Sequence, residues 1–425
     1  MLRRLGFGAT GPQIDAVAAA DLSRHLDTVL QSDPTADPGA RATPRPSPAL
    51  PPQPQEGAGT AELEAFSSQL ADQMDELVLW WVRRMAAVHE PAHEKLTLLW
   101  HNHFATSANK VPVAEWMGAQ NETLRTLKLG DFRTLAQAML GDAAMLYWLD
   151  GVTNSAKAAN ENLSREFMEL FTLGHGSGYT EVDVREGARA LTGWSIAPGG
   201  VTGVDYTQHD GGSKTVLGRV GNLDHSEFCD AVLSHPASSA FVATRLWRAL
   251  ASDDPPSAPT LDRLVAAYGP GRDLRALTKA ILVDPEFAGA AGTFVSTPVD
   301  WLLGVVRTLQ VPIETPGMPA ALLAVLTAMG QRPFYPPDVD GWPRGQAWLS
   351  TTATSARVWV SRKCTELGDG SMVAAAPRGD RIDAAGYLIG VGAWSDSTAA
   401  ALADVADDPR RLVAAAVNSP EYLTV

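Results

Sequence analysis

The sequence predicts a mainly α, multi-helix globular domain with at most a small β-hairpin, on three observations. Apolar residues recur at three- and four-residue spacing through most of the chain after Ala61. Helix-start residues precede several of these runs, and glycines close them. Alternating apolar and polar residues, the mark of half-buried strands, are scarce. With 425 residues, 45% hydrophobic and 19% charged, the chain can bury a large core and is neither disordered nor fibrous.

Taken in order, "MLRRLGFGATGPQIDAV" reads as a short amphipathic segment, a glycine-rich loop and a helix begun near Pro12. Its two arginines invite a twin-arginine export reading, but no apolar run follows them. Residues 1–30 are therefore a helical part of the main domain. Residues 31–60 lose nearly all large apolar side chains and fill with proline, the composition of a solvated linker or mobile insertion. Removing residues 32–59 is expected to leave the fold intact. Residues 61–425 form one helical domain. Within it, "AELEAFSSQLADQMDELVLWWVRRMAAVHE" is helical up to the interruption at Pro91, and "HEKLTLLWHNHF" follows as a second helix. In "YTEVDVREGARALTGW", Thr180 is the expected N-cap, with Asp183 at the third position and Gly193 near the stop. A hairpin is expected around "VDYTQHDGGSKTVLG", turning at Gly211 and Gly212.

Three stretches echo one another: "DFRTLAQAMLGDAAM", "DLRALTKAILVDPEF" and "DPRRLVAAAVNSPEY". Each has an Asp start, Arg two later, Leu four later and a closing large apolar residue. Each reads as a short capped helix whose final turn plugs a side chain into a core. The sequence between them does not repeat, so the echo is a reused packing module, not a solenoid.

The formal net charge of −14 argues against a nucleic-acid backbone as main partner. No window approaches the ~20 apolar residues of a membrane span. Two cysteines, Cys229 and Cys364, are too few for a disulfide framework or thiolate metal site, and a cytoplasmic location is expected. There is no GxSxG, GxxxxGK[ST], HExxH or CxxC motif.

Chemistry is instead sought in clusters. On a wheel of about 100° per residue, "NLSREFMEL" groups Leu163, Phe167 and Leu170, with Glu166 inside or at the edge of that arc. Glu161, Arg165 and Glu169 form a ladder on another face. Glu166 has no intrahelical partner of opposite charge and so becomes a candidate ligand or proton-transfer group, against a capping or ion-pairing role. In "KLTLLWHNHFATS", His103 falls among Leu96, Leu99 and Trp100, while His101 points away. The two cannot grip one metal from a continuous helix, because helical ligand spacing is three or four. A hydrogen-bonded core histidine is the plainer alternative for His103. His209, Asp210 and Lys214 sit on a glycine-containing turn that a surface role also explains. In "PPDVDGWPRGQAW", a proline-stiffened loop presents Trp342 and Trp348, to pin the loop down or to line a cleft.

Together, "LRRLGFGAT", "WWVRRM", "KLTLLWHNHFATS", "NENLSREFMELFTLG", "YTEVDVREGARALTGW", "HDGGSKTVLG", "HPASSAFVATRLWRAL" and "PPDVDGWPRGQAWLS" resemble, in the same order and over nearly the whole chain, the bacterial DUF1800 family. The resemblance implies a largely helical protein of unassigned biochemical role. It also implies a functional pairing with a protein of the DUF1501 family, itself similar to sulfatases and alkaline phosphatases. The family pattern falls on His101, Asn102, His103, Asn160, Glu161, Asn162, Arg165, Glu166, Glu169, Arg189, Trp194, His209, Asp210, Lys214 and Trp342. The proline-rich stretch after Gln31 and the absence of an export signal depart from it.

Two readings follow. In the first, an enzyme pocket is floored by the residue 160–169 helix. Its catalytic candidates are Glu166, His101, Arg165, His209, Asp210 and Lys214. Asn160, Asn162, Arg189, Trp194 and Trp342 contact a small or anionic substrate, with Arg165 or Arg189 holding the anion. A divalent metal (iron, zinc or manganese) held by His103 and Glu166, with Glu169 or His101 completing the set, would serve hydrolysis or oxidation; a metal-free version uses Glu166 as acid and base. In the second, the same polar set is a buried network in a non-catalytic partner of the sulfatase-like protein, with the Trp342 loop as docking surface.

Overall fold

Two successive helices set the architecture, Thr60–Ala87 and Ala92–His103. The first is amphipathic; the second is buried at every residue except Leu99 and Asn102. A helix covered on all sides belongs at the centre of a domain, and any charge on it needs a partner. Glu94 meets Arg84 and Arg125, and Lys95 meets Asp300 at 2.5 Å. In this computed structural model, which describes residues 1–290 and 292–425, 59% of the chain is helical. The strands form two small antiparallel pairs, Trp194–Ile196 with Thr202–Val204 and Lys214–Val216 with Arg219–Gly221. The chain is mainly α with small hairpins. No helix among the described residues is long and apolar enough to cross a membrane.

The interior is split between two apolar clusters. Leu96 and Trp100 of the central helix, with Phe104 just past its end, join Phe132, Phe167, Phe171 and Trp247 in one. Leu98 joins Trp81, Trp301, Phe334, Trp342 and Trp348 in the other. The central helix therefore runs along the seam between them, the kind of place where interior packing leaves room for a ligand.

The three echoed stretches are built alike. Asp131, Asp273 and Asp408 accept from backbone N–H groups in the first turns of Phe132–Leu140, Leu274–Val283 and Pro409–Ala416. A second short helix follows each, capped by Asp142, Asp284 or Ser419. The closing Met145 and Tyr422 are buried, while Phe287 is only half-buried. The first two copies also pair directly, Phe132 N donating to Arg272 O (3.0 Å) and Leu274 N to Gly130 O (2.9 Å).

The expected hairpin exists, but its turn is Leu217–Gly218, where both residues have positive φ, 50° and 82°. That is the geometry whose twist suits a two-residue hairpin loop. Gly211 and Gly212 are used differently: Gly212 N donates to the Asp210 carboxylate at 2.8 Å, closing a side-chain turn ahead of the strand.

At the start of the chain, Gly8 (φ 73°) lies so close to Gly304 that a Cβ on it would come within 2.8 Å of the Gly304 Cα. This backbone contact seats the N-terminal loop on the Pro298–Thr308 helix. Arg3 stacks on Tyr422, its Cζ 4.7 Å from the ring centre. Arg4, buried, donates to the carbonyls of Leu250 (3.2 Å), Ala290 (2.8 Å), Ala251 and Val425.

The proline-rich stretch is not a free connector at its start. Pro38–Ala42 is a short helix, and Asp37 accepts from the His89 and Glu90 N–H groups at 2.9 Å each. Trp80 Nε1 donates to Thr43 O (2.9 Å), Arg84 to Ala40 O (3.3 Å), and Arg45 grips Glu115 through two bonds. Composition misses this because the docking is made by backbone carbonyls and a capping Asp rather than by apolar side chains. Removing residues 52–58 is expected to leave the urea midpoint nearly unchanged. Removing residues 37–47 orphans the Trp80 and Arg84 donors and is expected to cost about 2–4 kcal/mol. Equal tolerance of both deletions in urea titrations would show that the docking contributes nothing.

Candidate functional site

At the seam, the Lys95–His103 side of the central helix, the Ala237–Leu250 helix and the Trp342–Trp348 loop line a cavity of about 80 Å³. That is space for a few waters or one small ion. Its charged walls are Arg245, Arg248 and Arg344, with Asp253 and the Lys95–Asp300 pair beside them. Arg245 and Arg248 stand three apart on one helix face. Arg245 reaches Asp340 only at 3.5 Å, and neither Arg248 nor Arg344 has a carboxylate within ion-pair distance among the described residues. Burial, then the like charges of Arg245 and Arg248, pull the Arg344 guanidinium down to about 10. Burial likewise lowers Arg245 and raises the Asp253 carboxyl. Arg248 Nε and the indole N–H groups of Trp342 and Trp348 are buried without acceptors. Buried donors of this kind normally find a partner.

His103 lines the same cavity. Its Nε2 lies 3.0 Å from Phe171 O. A carbonyl only accepts, so Nε2 carries the hydrogen and Nδ1 keeps its lone pair. Among the described residues no group bonds that Nδ1. Burial, reinforced by Arg245, pushes the imidazole well below its ordinary pKa, so it is neutral at physiological pH.

The three residues His101, Asn102 and His103 thus do three jobs. His101 has its ring boxed by Trp81, Phe334 and Trp342 at centroid distances of 5.4, 5.3 and 5.5 Å. Its nitrogens have no partner, and burial pushes it to about 3. Asn102 Oδ1 accepts from Trp342 N at 2.6 Å, pinning the loop. His103 faces the cavity. With Trp342 and Trp348 both buried, the loop does not offer its tryptophans as a docking surface.

The pocket expected over the residue 160–169 helix is not assembled. The α-helix stops at Glu166 and continues as a π-helical turn, Phe167–Thr172, so the 100° wheel slips there. Phe171 takes the core position and Leu170 is only half-buried. Glu166 ends at the half-buried edge, where burial and then the Glu169 charge raise its carboxyl above the usual range. Glu169 is taken up by His175 Nδ1 (2.6 Å) and Tyr179 OH (3.0 Å). The proposed metal set therefore does not converge: His103 is tied to Phe171 and Glu169 to His175 and Tyr179. Among the described residues no three His, Cys, Asp or Glu side chains are grouped to hold a metal ion.

The remaining candidates brace loops away from the cavity. Arg165 is bonded to Glu161 and, through two nitrogens, to Glu181. Arg189 is bonded to Glu186 and Asp210, whose carboxyl its guanidinium holds down at about 2. Neither arginine is free to hold a substrate. Lys214 Nζ, almost wholly buried, donates to the carbonyls of Asp210 and Gly212 and to Asn222. His209 Nδ1 donates to Thr192 O at 2.9 Å. Asn160 and Asn162 tie the helix start to Asn154 and Asp150, and Trp194 packs on His225. Of the predicted site residues, His103 and Trp342 line the cavity; Glu166 and His209 do not.

The family described as "Protein of unknown function (DUF1800)" matches residues 1–424. The chain belongs to the DUF1800 family. Comparison with curated proteins and with solved structures finds no match. In this DUF1800 chain the cavity residues missed by sequence reasoning are Lys95, Arg245, Arg248, Asp253 and Arg344. One signal was present: two arginines at i and i+3 around Leu246 and Trp247 place charge on the border of an apolar face.

Proposed function

We propose that this DUF1800 protein is an enzyme acting on a small anionic substrate in the arginine-lined cavity. Arg245, Arg248 and Arg344 hold the anion, and neutral His103 is the general base. One observation carries the reading: three guanidiniums, short of carboxylate partners, share a small cavity with an imidazole whose Nδ1 lone pair is unclaimed. Grouping like charges is costly unless an anion is meant to sit among them, and guanidinium forks match oxyanions bidentately. A His held neutral accepts a proton at physiological pH, and the Phe171 carbonyl fixes which nitrogen does so. Asp253, its carboxyl raised by burial, lines the same cavity.

The test is a panel of chromogenic phosphate, sulfate and carboxylate esters, with anion binding followed separately by calorimetry. The wild type is expected to turn over at least one of them. His103→Gln, close in volume and able to keep the Phe171 contact, is expected to bind the anion while losing about 10²–10⁴-fold in rate. Turnover undiminished in His103→Gln would sink the assignment of the base.

A further inference from the structure

We infer that the anionic group recognised in the cavity is a tetrahedral oxyanion, a phosphate or sulfate group, and not a carboxylate. This rests on the anionic-substrate reading above and narrows it. The unpartnered groups of the residues that line the cavity are three donors, Arg248 Nε and the indole N–H of Trp342 and Trp348, and two acceptors, His103 Nδ1 and Asp253 Oδ1. An indole N–H can only donate, and so can every nitrogen of a guanidinium. With three guanidiniums added to them the donors outnumber these acceptors, and the complement of such a wall is a ligand richer in acceptors than in donors. Charge points the same way. Arg245, Arg248 and Arg344 share the cavity with Asp253, and Asp340 reaches only Arg245, at 3.5 Å. Lys95 is already neutralised by Asp300.

Geometry separates the tetrahedral from the planar anion. The donors come from two separate elements: Arg245 and Arg248 on the Ala237–Leu250 helix, and Trp342, Arg344 and Trp348 on the facing loop. A carboxylate offers two coplanar oxygens and saturates one guanidinium fork. An esterified phosphate or sulfate offers three oxygens spread about an axis, so donors from both walls can be met at once. The cavity of about 80 Å³ suits one such group.

The experiment is calorimetric titration of the whole protein with sodium sulfate, sodium phosphate and sodium acetate at matched ionic strength. Matching equalises charge screening across the three salts, and saturation at one-to-one stoichiometry separates a site from the general, non-saturating effect of sulfate and phosphate on any protein. Saturable one-to-one binding of sulfate or phosphate, or both, with acetate at least tenfold weaker, is the expected result; the two tetrahedral titrations say which is preferred. Arg248→Gln and Arg344→Gln are each expected to weaken it at least tenfold. Arg248→Lys, which keeps the charge and is less exposed to a folding failure, is expected to weaken it several-fold by losing Nε. Arg378→Gln, which breaks only the surface contact with Asp407, is expected to change nothing. Acetate binding as tightly as sulfate and phosphate overturns the tetrahedral inference and leaves the anionic reading standing. Saturable binding of none of the three overturns both, as does sulfate or phosphate binding unaltered in the Arg248 and Arg344 variants.

Discussion

Glu94→Gln is expected to destabilise the protein by about 3–5 kcal/mol, the usual result of stripping one partner from a buried ionic network. Glu94 is 1% exposed. Its Oε1 accepts from Arg84 Nε (2.8 Å) and Arg125 Nε (2.7 Å), and its Oε2 from Arg125 Nη2 (2.8 Å) and Trp81 Nε1 (2.9 Å). Burial by itself would raise this carboxyl. The Arg125 and Arg84 guanidiniums overcome that and hold it at about 2. A folded pKa below the unfolded value of 4.5 gives stability that is fully present above pH 4.5 and is lost as pH falls toward 2. The loss is on the order of 3 kcal/mol. Urea titrations at pH 7 and pH 3 check both statements. The variant should start lower at pH 7 and lose less between the two pH values, because the titrating group is gone. A cost under about 1 kcal/mol at pH 7 would mean that the network behaves like an exposed ion pair.

Gly341→Ala is expected to damage stability and site together. Gly341 has φ 91°, and a Cβ there would lie 2.4 Å from Asn102 Oδ1 and 2.5 Å from Asn102 O. Both contacts are too close, and the second is with backbone that cannot swing aside. The Asn102–Trp342 bond of 2.6 Å is the first thing displaced. Positive-φ strain of about 1–3 kcal/mol and a lost hydrogen bond of about 1 kcal/mol sum to roughly 2–4 kcal/mol. Because Trp342 and Arg344 travel with the loop, anion affinity is expected to fall more than tenfold. Thermal unfolding and calorimetry on the one variant, with Asn102→Ala beside it, separate the causes. Unchanged anion affinity in a folded Gly341→Ala protein would show that the loop does not shape the cavity.

The helical class, the capped repeats and the Thr180 N-cap were legible because each depends on neighbours in sequence. Asp131, Asp273 and Asp408 announce their helices by spacing alone. The site was less legible. Arg245 and Arg344 are about one hundred residues apart, and each alone reads as a surface arginine; only folding shows that Arg245 reaches Asp340 no closer than 3.5 Å and that Arg344 has no carboxylate within ion-pair distance among the described residues. Arg165 and Arg189 sat in the more conspicuous motifs, yet Glu181 and Asp210 had already claimed them. Glu166 misled for a local reason, since a wheel assumes a constant turn and the π-helical segment beginning at Phe167 breaks it. The central helix defeats a wheel differently: with nearly every face buried, no periodicity distinguishes the side turned to the cavity.

The hydrogen bonds of Arg4 bear on how the protein acquires its site. The Ala237–Leu250 helix, which supplies Arg245 and Arg248, is clasped at its end by an arginine 246 positions earlier in the chain, and the same guanidinium reaches a carbonyl 421 positions away. Such distant closures are expected to come late, after the local helices have formed. Refolding is therefore expected to regain helical circular dichroism before anion binding. A fragment holding the arginine helix and the Trp342 loop without residues 1–10 would possess the recognition side chains and lack the clasp that sets their angle. The site is a property of the finished topology, which makes it one of the last features to mature and one of the first to be lost when the segments holding Arg4 and Val425 are pulled apart.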